Sequence, residues 1–196
     1  MSNWIPAIEV QSAKGTREVQ LLTEHLKERR VFLTGKIDEE VSENIVSQLL
    51  YLDGKNSPIY LIINSPGGSI SECLTIYDVI QGLRSQIEMY CIGLAGSMAA
   101  VLLASGEKGH RHILPHARTI IREPRVLNGG VGFSVSMSNA SRAMEKNRHI
   151  LYRILARHTE RTSKEIEDAI AGEQYMDAEE SIAFGLCDDI ITHIGS

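Results

Sequence analysis

The sequence predicts an α/β domain built on a largely parallel sheet. Short apolar runs alternate with amphipathic helical stretches along most of the chain, the signature of strand–helix–strand units. One run, IYLII (Ile59–Ile63), is apolar without interruption, as a strand covered on both faces must be. No linker, low-complexity tract or repeat divides the chain, and 196 residues with 43% hydrophobic content suffice for one good core.

The elements follow in order. VFLTGKI (Val31–Ile37) reads as a strand, and Asp38 caps a helix whose apolar face is Val41, Ile45, Val46, Leu49 and Leu50. After IYLII, the turn NSPGG (Asn64–Gly68) breaks the strand. Ser69 with Glu72 predicts a capping box before a helix carrying Ile70, Leu74, Tyr77, Ile80 and Leu83. IEMYCIG (Ile87–Gly93) is the next strand, and SMAAVLLASG is a small-residue helix stopped by Gly106. HIL (His112–Leu114) and ARTIIRE (Ala117–Glu123) are two further strands separated by Pro115. NGGVG is a loop, and the longest helical pattern runs from about Phe133 to His158. Thr162 with Glu165 and Asp177 with Glu180 cap two more helices, and CDDIITH (Cys187–His193) closes as a strand.

Composition narrows the function. A net charge of −5 with no basic run argues against nucleic acid or an anionic membrane as partner. No apolar stretch approaches a membrane span, and MSNWIPAIEV lacks the basic and apolar regions of a secretion signal. Three scattered cysteines, Cys73, Cys91 and Cys187, suit buried thiols in a reducing compartment, so a cytoplasmic location is expected. No metal or nucleotide motif occurs, and no cofactor is expected.

Two stretches point to acyl-transfer chemistry. In GLAGSMAA, Ser97 stands where a strand turns into a helix, and the unpaired N–H groups of a helix start favour a developing oxyanion. In SPGG, Gly67 and Gly68 can bring backbone N–H groups close because no side chain intervenes. Neither is specific alone. GSMAA also fits an N-cap serine ahead of a tightly packed helix, and SPGG a plain strand-to-helix turn.

Taken together, LTG, IYLIINSPGGSI, GLAGSMAAVLLASGEKGHR, LPHAR and AEESIAFGLCDDIITH resemble the proteolytic subunit of the ATP-dependent Clp protease, in that family's order and near its spacing. The resemblance implies a crotonase-like spiral of ββα units with a protruding handle helix. Residues 1–20 would be an axial-loop segment, 21–196 one domain, and about 125–158 the handle. It implies stacked heptameric rings, homo- or hetero-oligomeric, around a closed chamber fed with unfolded polypeptide by an AAA+ Clp ATPase that alone uses ATP. It implies a location in the cytoplasm, or in the plastid stroma for an organellar chain. By the same resemblance Ser97 is the nucleophile, and Gly68 and Met98 supply the oxyanion-hole N–H groups. Gly67, Ser69, Asn128, Gly129 and Gly130 hold substrate backbone, and Tyr60 lies in the cleft where the ATPase docks.

The chain departs from this pattern where the base belongs. After LPHAR the family carries two apolar residues, His, Gln and Pro; here TIIREP puts Arg122 at the histidine position. Guanidinium is always protonated and has no acceptor, so it cannot take the serine proton. The position of the family's aspartate falls on Glu173, and the charged residues usual before it are replaced by Ala171 and Gly172. Arg122 and Glu173 are expected either to form an ion pair in place of the His–Asp pair, or to part, with Arg122 turned to Glu123 or solvent. Three functions follow. The first is a catalytically silent or very weak Clp-type subunit, acting beside an active paralogue or by shape in the ring. The second is an active endopeptidase with a base from elsewhere, and the third a crotonase-like acyl-thioester enzyme.

Overall fold

The computed structural model describes residues 6–12, 15–55, 57–123 and 137–194. An antiparallel hairpin of β1 (Ala7–Ser12) and β2 (Gly15–Gln20) forms a small sheet of its own and leads into helix α1 (Leu21–Lys27). Neither the hairpin nor α1 is anticipated by the hydrophobic pattern, because the strands are largely exposed and α1 buries no residue completely.

The body alternates as expected. Strand β3 (Arg30–Thr34), helix α2 (Glu39–Leu52), strand β4 (Ile59–Ser65), helix α3 (Ile70–Gly82), strand β5 (Ile87–Gly96) and helix α4 (Met98–Ala104) follow one another. Strands β6 (Arg111–Ile113) and β7 (Arg118–Ile121) come next, then helices α5 (Met137–Thr159) and α6 (Ser163–Ala171). Strand β8 (Gln174–Met176), helix α7 (Ala178–Phe184) and strand β9 (Asp189–Ile190) complete the described chain. The main sheet runs β3-β4-β5-β6-β9 with every pair parallel. Strand β7 joins β5 further along, and β8 pairs antiparallel with β7. Val31, Leu33, Leu61, Ile63, Met89 and Cys91 fill the core from the sheet, and every residue of α4 is buried. The small side chains of SMAAVLLA let that helix pass through the middle of the molecule.

Three details differ from expectation. Leu50 faces outward and is 58% exposed, because Ser42, Ile45, Leu49 and Leu52 form the inward stripe of α2. Ser69 precedes α3 without a side-chain cap, so the predicted capping box with Glu72 does not form. The Ser69 backbone N–H instead donates to the Ile37 carbonyl at 2.9 Å, which fixes this turn by pairing with a distant segment. CDDIITH contributes only the two-residue strand β9. The other caps hold: Asp38 accepts from the Val41 N–H, and Thr162–Glu165 and Asp177–Glu180 form complete capping boxes. Residues 133–136 of the expected long helix lie outside the described residues, and α5 is seen from Met137.

One buried cation ties helix ends together. Arg111, 3% exposed, donates from Nη1 to the carbonyls of Ala104, His158 and Gly185, at the C-terminal ends of α4, α5 and α7. Its other nitrogens grip Asp188, Nε to Oδ2 at 2.9 Å and Nη2 to Oδ1 at 2.5 Å. A fixed positive charge is well placed where helix C-termini leave carbonyls unmet.

All three cysteines are free and buried. Burial pushes the Cys73 and Cys91 thiols up to about 12 and raises Cys187 as well, so they act as small apolar side chains. Among the described residues no helix is long and apolar enough to cross a membrane, and no group of three His, Cys, Asp or Glu side chains is placed to hold a metal ion.

Candidate active site

The site is built where β5 changes partners. Strand β5 pairs with β4 in register up to Ile63↔Cys91, then shifts to Ser65↔Ala95. The irregularity is filled by Asn64, whose Oδ1 accepts from the Leu94 N–H at 3.1 Å. Beyond it, Leu94–Gly96 pair with β7, so the end of β5 is re-aimed, as bulges beside functional sites commonly do.

Ser97 follows at once, with φ 51° and ψ −116°. A non-glycine residue held there costs on the order of 1–3 kcal/mol, and such strain gathers at functional positions. Strand-to-helix turns that expose a nucleophilic serine have this strained form. The Ser97 N–H donates to the Ile120 carbonyl of β7 at 2.7 Å, and its side chain makes no cap to α4. The hydroxyl is therefore presented rather than used locally, and the plain N-cap reading of GSMAA does not hold.

The SPGG turn lies directly against this helix start. A Cβ built on Gly67 would come within 2.5 Å of the Gly96 carbonyl oxygen, 3.0 Å of the Met98 nitrogen and 3.3 Å of Ser97 Cβ. Gly67 also has φ +87°, and its N–H donates to the buried Ser65 Oγ at 3.0 Å. Ile37 binds the Gly67 carbonyl and the Ser69 N–H, the flanks of a parallel bridge to Gly68, and so turns the Gly68 N–H the other way. Among the described residues, neither the Gly68 nor the Met98 N–H donates to a backbone carbonyl, and a first-turn N–H has no acceptor within its helix. Two donors thus stand beside Ser97, an arrangement able to bind an oxyanion. Ser69 is exposed beside them. Asn128, Gly129 and Gly130 lie outside the described residues.

Gly67→Ala would meet both the left-handed backbone and the Gly96 carbonyl. We expect it to lower stability by about 2–4 kcal/mol in denaturant unfolding.

Such a fold and such a turn fit one family in particular: the Clp protease family matches residues 13–194, nearly the whole chain. The chain belongs to the Clp protease family. It is a Clp-type peptidase subunit with that family's α/β crotonase-like fold, and the family forms rings with Clp ATPases.

In this Clp-family chain, Arg122 lies one residue beyond β7. Burial along β7 alternates, with Thr119 and Ile121 buried and Ile120 and Arg122 half-buried, so Ile120 and Arg122 share a face. Arg122 is therefore about 7 Å along the strand from the residue that holds Ser97. Strands β7 and β8 pair Thr119↔Met176, Ile120↔Tyr175 and Ile121↔Gln174, and the next step sets Arg122 opposite Glu173. The facing positions do not become an ion pair: among the described residues no salt bridge joins Arg122 to Glu173. Glu173 has φ 45° and leaves the extended path just before β8. Arg122 does not pair with Glu123 either, which is held by Arg148.

Among the described residues no histidine hydrogen-bonds Ser97. His110 and His112 contact Glu88, His158 Nε2 lies 3.1 Å from the Tyr77 hydroxyl, and His149 is next to Glu145. His25 packs on Phe32, and His193 lies against Thr192. Burial, then the charges of Arg157 and Arg111, lower the His158 pKa, but its ring is engaged far from Ser97. His116 is exposed before β7, and the β5–β7 register leaves it on the order of 15 Å short of Ser97.

Tyr60 sits at the other end of the sheet. Half-buried on β4, it is opposite Glu88, nine positions before Ser97 on β5, and its ring lies 6.2 Å from that of Tyr90.

Proposed function

We propose that this Clp-type subunit has no peptidase activity of its own, or very little, and serves its ring through shape, docking and assembly. One observation carries the reading: residue 122, two positions beyond the Ile120 carbonyl that accepts from the Ser97 N–H, is an arginine, and among the described residues no histidine hydrogen-bonds the serine. Guanidinium supplies a fixed donor where hydrolysis requires a lone pair. The Gly68 and Met98 donors support a residual oxyanion hole, which in subtilisin leaves only roughly 10³-fold over water once the catalytic groups are gone.

On this reading the chain binds unfolded polypeptide in a chamber of stacked heptameric rings. It sits with an active paralogue, receives an AAA+ Clp ATPase near Tyr60, and needs no cofactor. It works in the cytoplasm or the plastid stroma.

Two features favour a second reading, an active endopeptidase whose base comes from a neighbouring subunit: the strained Ser97 backbone, and the Gly68 and Met98 N–H groups, which have no backbone acceptor among the described residues.

Purified protein tested with a fluorophosphonate probe and a fluorogenic peptide separates the two. We expect no labelling of Ser97 and turnover no higher than that of Ser97→Ala. Labelling with ordinary turnover would overturn the silent reading, and labelling only after mixing with a second Clp subunit would establish the alternative.

A further inference from the structure

A chain of ionisable groups crosses the far end of the sheet, well away from Ser97. His112 of β6 places Nδ1 2.5 Å from Asp189 Oδ1 of β9 and Nε2 3.0 Å from Glu88 Oε2 of β5. The other oxygen of Glu88 lies 2.9 Å from His110 Nδ1. The His112 ring stacks on Tyr90 with centroids 4.9 Å apart, and Tyr90 in turn neighbours Tyr60. The groups facing His112 are therefore Glu88 and Tyr90 from β5, His110 just before β6, and Asp189 from β9.

The donor count decides the protonation state. A neutral imidazole has one N–H donor and one acceptor, whereas ionised carboxylates only accept. With a carboxylate against each ring nitrogen, a neutral ring would turn a lone pair toward a negative oxygen. Both contacts are satisfied at once by the imidazolium. The His112 side chain is only 14% exposed; burial by itself would lower its pKa, but the hydrogen bonds and charges of Glu88 and Asp189 outweigh that and raise it.

We propose that His112 is a proton-dependent latch fastening the last strand to the sheet. Protonated, it bridges three strands, β5–β6–β9, and holds Asp189 at the edge of the ring that stacks on Tyr90. Deprotonated, it loses one of the two carboxylates. Strand β9 has two residues and stands at the sheet edge, where its remaining ties are its short pairing with β6 and the Asp188 contacts to Arg111. Asp188 stays fixed by Arg111, and the release is confined to the segment from Asp189 onward. The sign follows from the raised pKa: the latch is closed below about 6.5 and opens as pH rises through the folded-state value. That the latch then tunes docking of a partner ATPase at Tyr60 rests on the function proposed above; the latch itself does not.

The test uses the full chain without partner or substrate, so it fails or succeeds independently of the peptidase reading. NMR titration of His112 is expected to give a pKa above about 6.5. The Ile191 amide, which donates to the Ile113 carbonyl at 3.0 Å, reports on the edge. Its hydrogen-exchange protection factor is expected to fall about tenfold for each unit by which the pKa is raised, as pH passes that value. Asp189→Asn, which keeps the side chain's shape, is expected to lower the His112 pKa and flatten this dependence, and His112→Phe to abolish it. A His112 pKa at or below about 6.5, or an Ile191 pH profile identical in the wild type and Asp189→Asn, would overturn the latch.

Discussion

Replacing Arg122 by histidine is expected to raise peptide hydrolysis by about 10²–10⁴-fold, the range that a positioned general base contributes. On the function proposed above, the substitution supplies a general base to a serine turn that otherwise stays as it is. Ser97 is held by Ile120 in a strained turn that leaves its hydroxyl uncapped, and the Gly68 and Met98 N–H groups stand beside it. Residue 122 lies one turn of the pleat beyond Ile120 on the same face. Glu173, opposite by register, leaves the strand through its left-handed backbone, so the gain should stay below that of a complete triad. The assay is fluorogenic peptide turnover, with Ser97→Ala in the same background returning it to baseline. A folded Arg122→His protein no faster than wild type would refute this account of the site.

Arg111→Ala is expected to cost about 3–5 kcal/mol, because it strips a buried pair of one partner. Asp188, mostly buried, would be left charged with its guanidinium gone, and the C-terminal carbonyls of α4, α5 and α7 would lose their shared donor. Denaturant unfolding measures the loss. Asp188 adds a pH signature. Burial works to raise its carboxyl pKa, but hydrogen bonds and charge from Arg111, with the Gly109 and Arg111 N–H groups, hold it lower than usual. Its contribution to stability is thus complete above about 3.9 and lost as pH falls through the folded value. Arg111→Ala should flatten that acid limb; if the wild type and the variant lose stability in parallel below pH 4, the pair is not what holds the three helix ends.

Much of this was legible along the chain because it depends on neighbours in sequence. Hydrophobic period predicts the strands from Val31 to Cys91 and the helices between them, and the caps at Asp38, Thr162 and Asp177 involve residues three positions apart. Ser97 and the two glycines stood out for the same reason, since a strained strand-to-helix turn and a side-chain-free approach demand particular residue types. That Arg122 cannot act as a base is also a matter of sequence, because the pKa of guanidinium exceeds about 12 in any setting. Other features arise only when distant segments meet. Ser69 gives up its predicted box because Ile37 claims its N–H, and Glu173 faces Arg122 by register yet turns away by backbone. His112 joins residues 24 and 77 positions away, and Arg111 reaches the ends of three helices. No local pattern encodes such encounters: which donor meets which acceptor across the sheet is set by strand order and register, and those follow from packing the whole core at once.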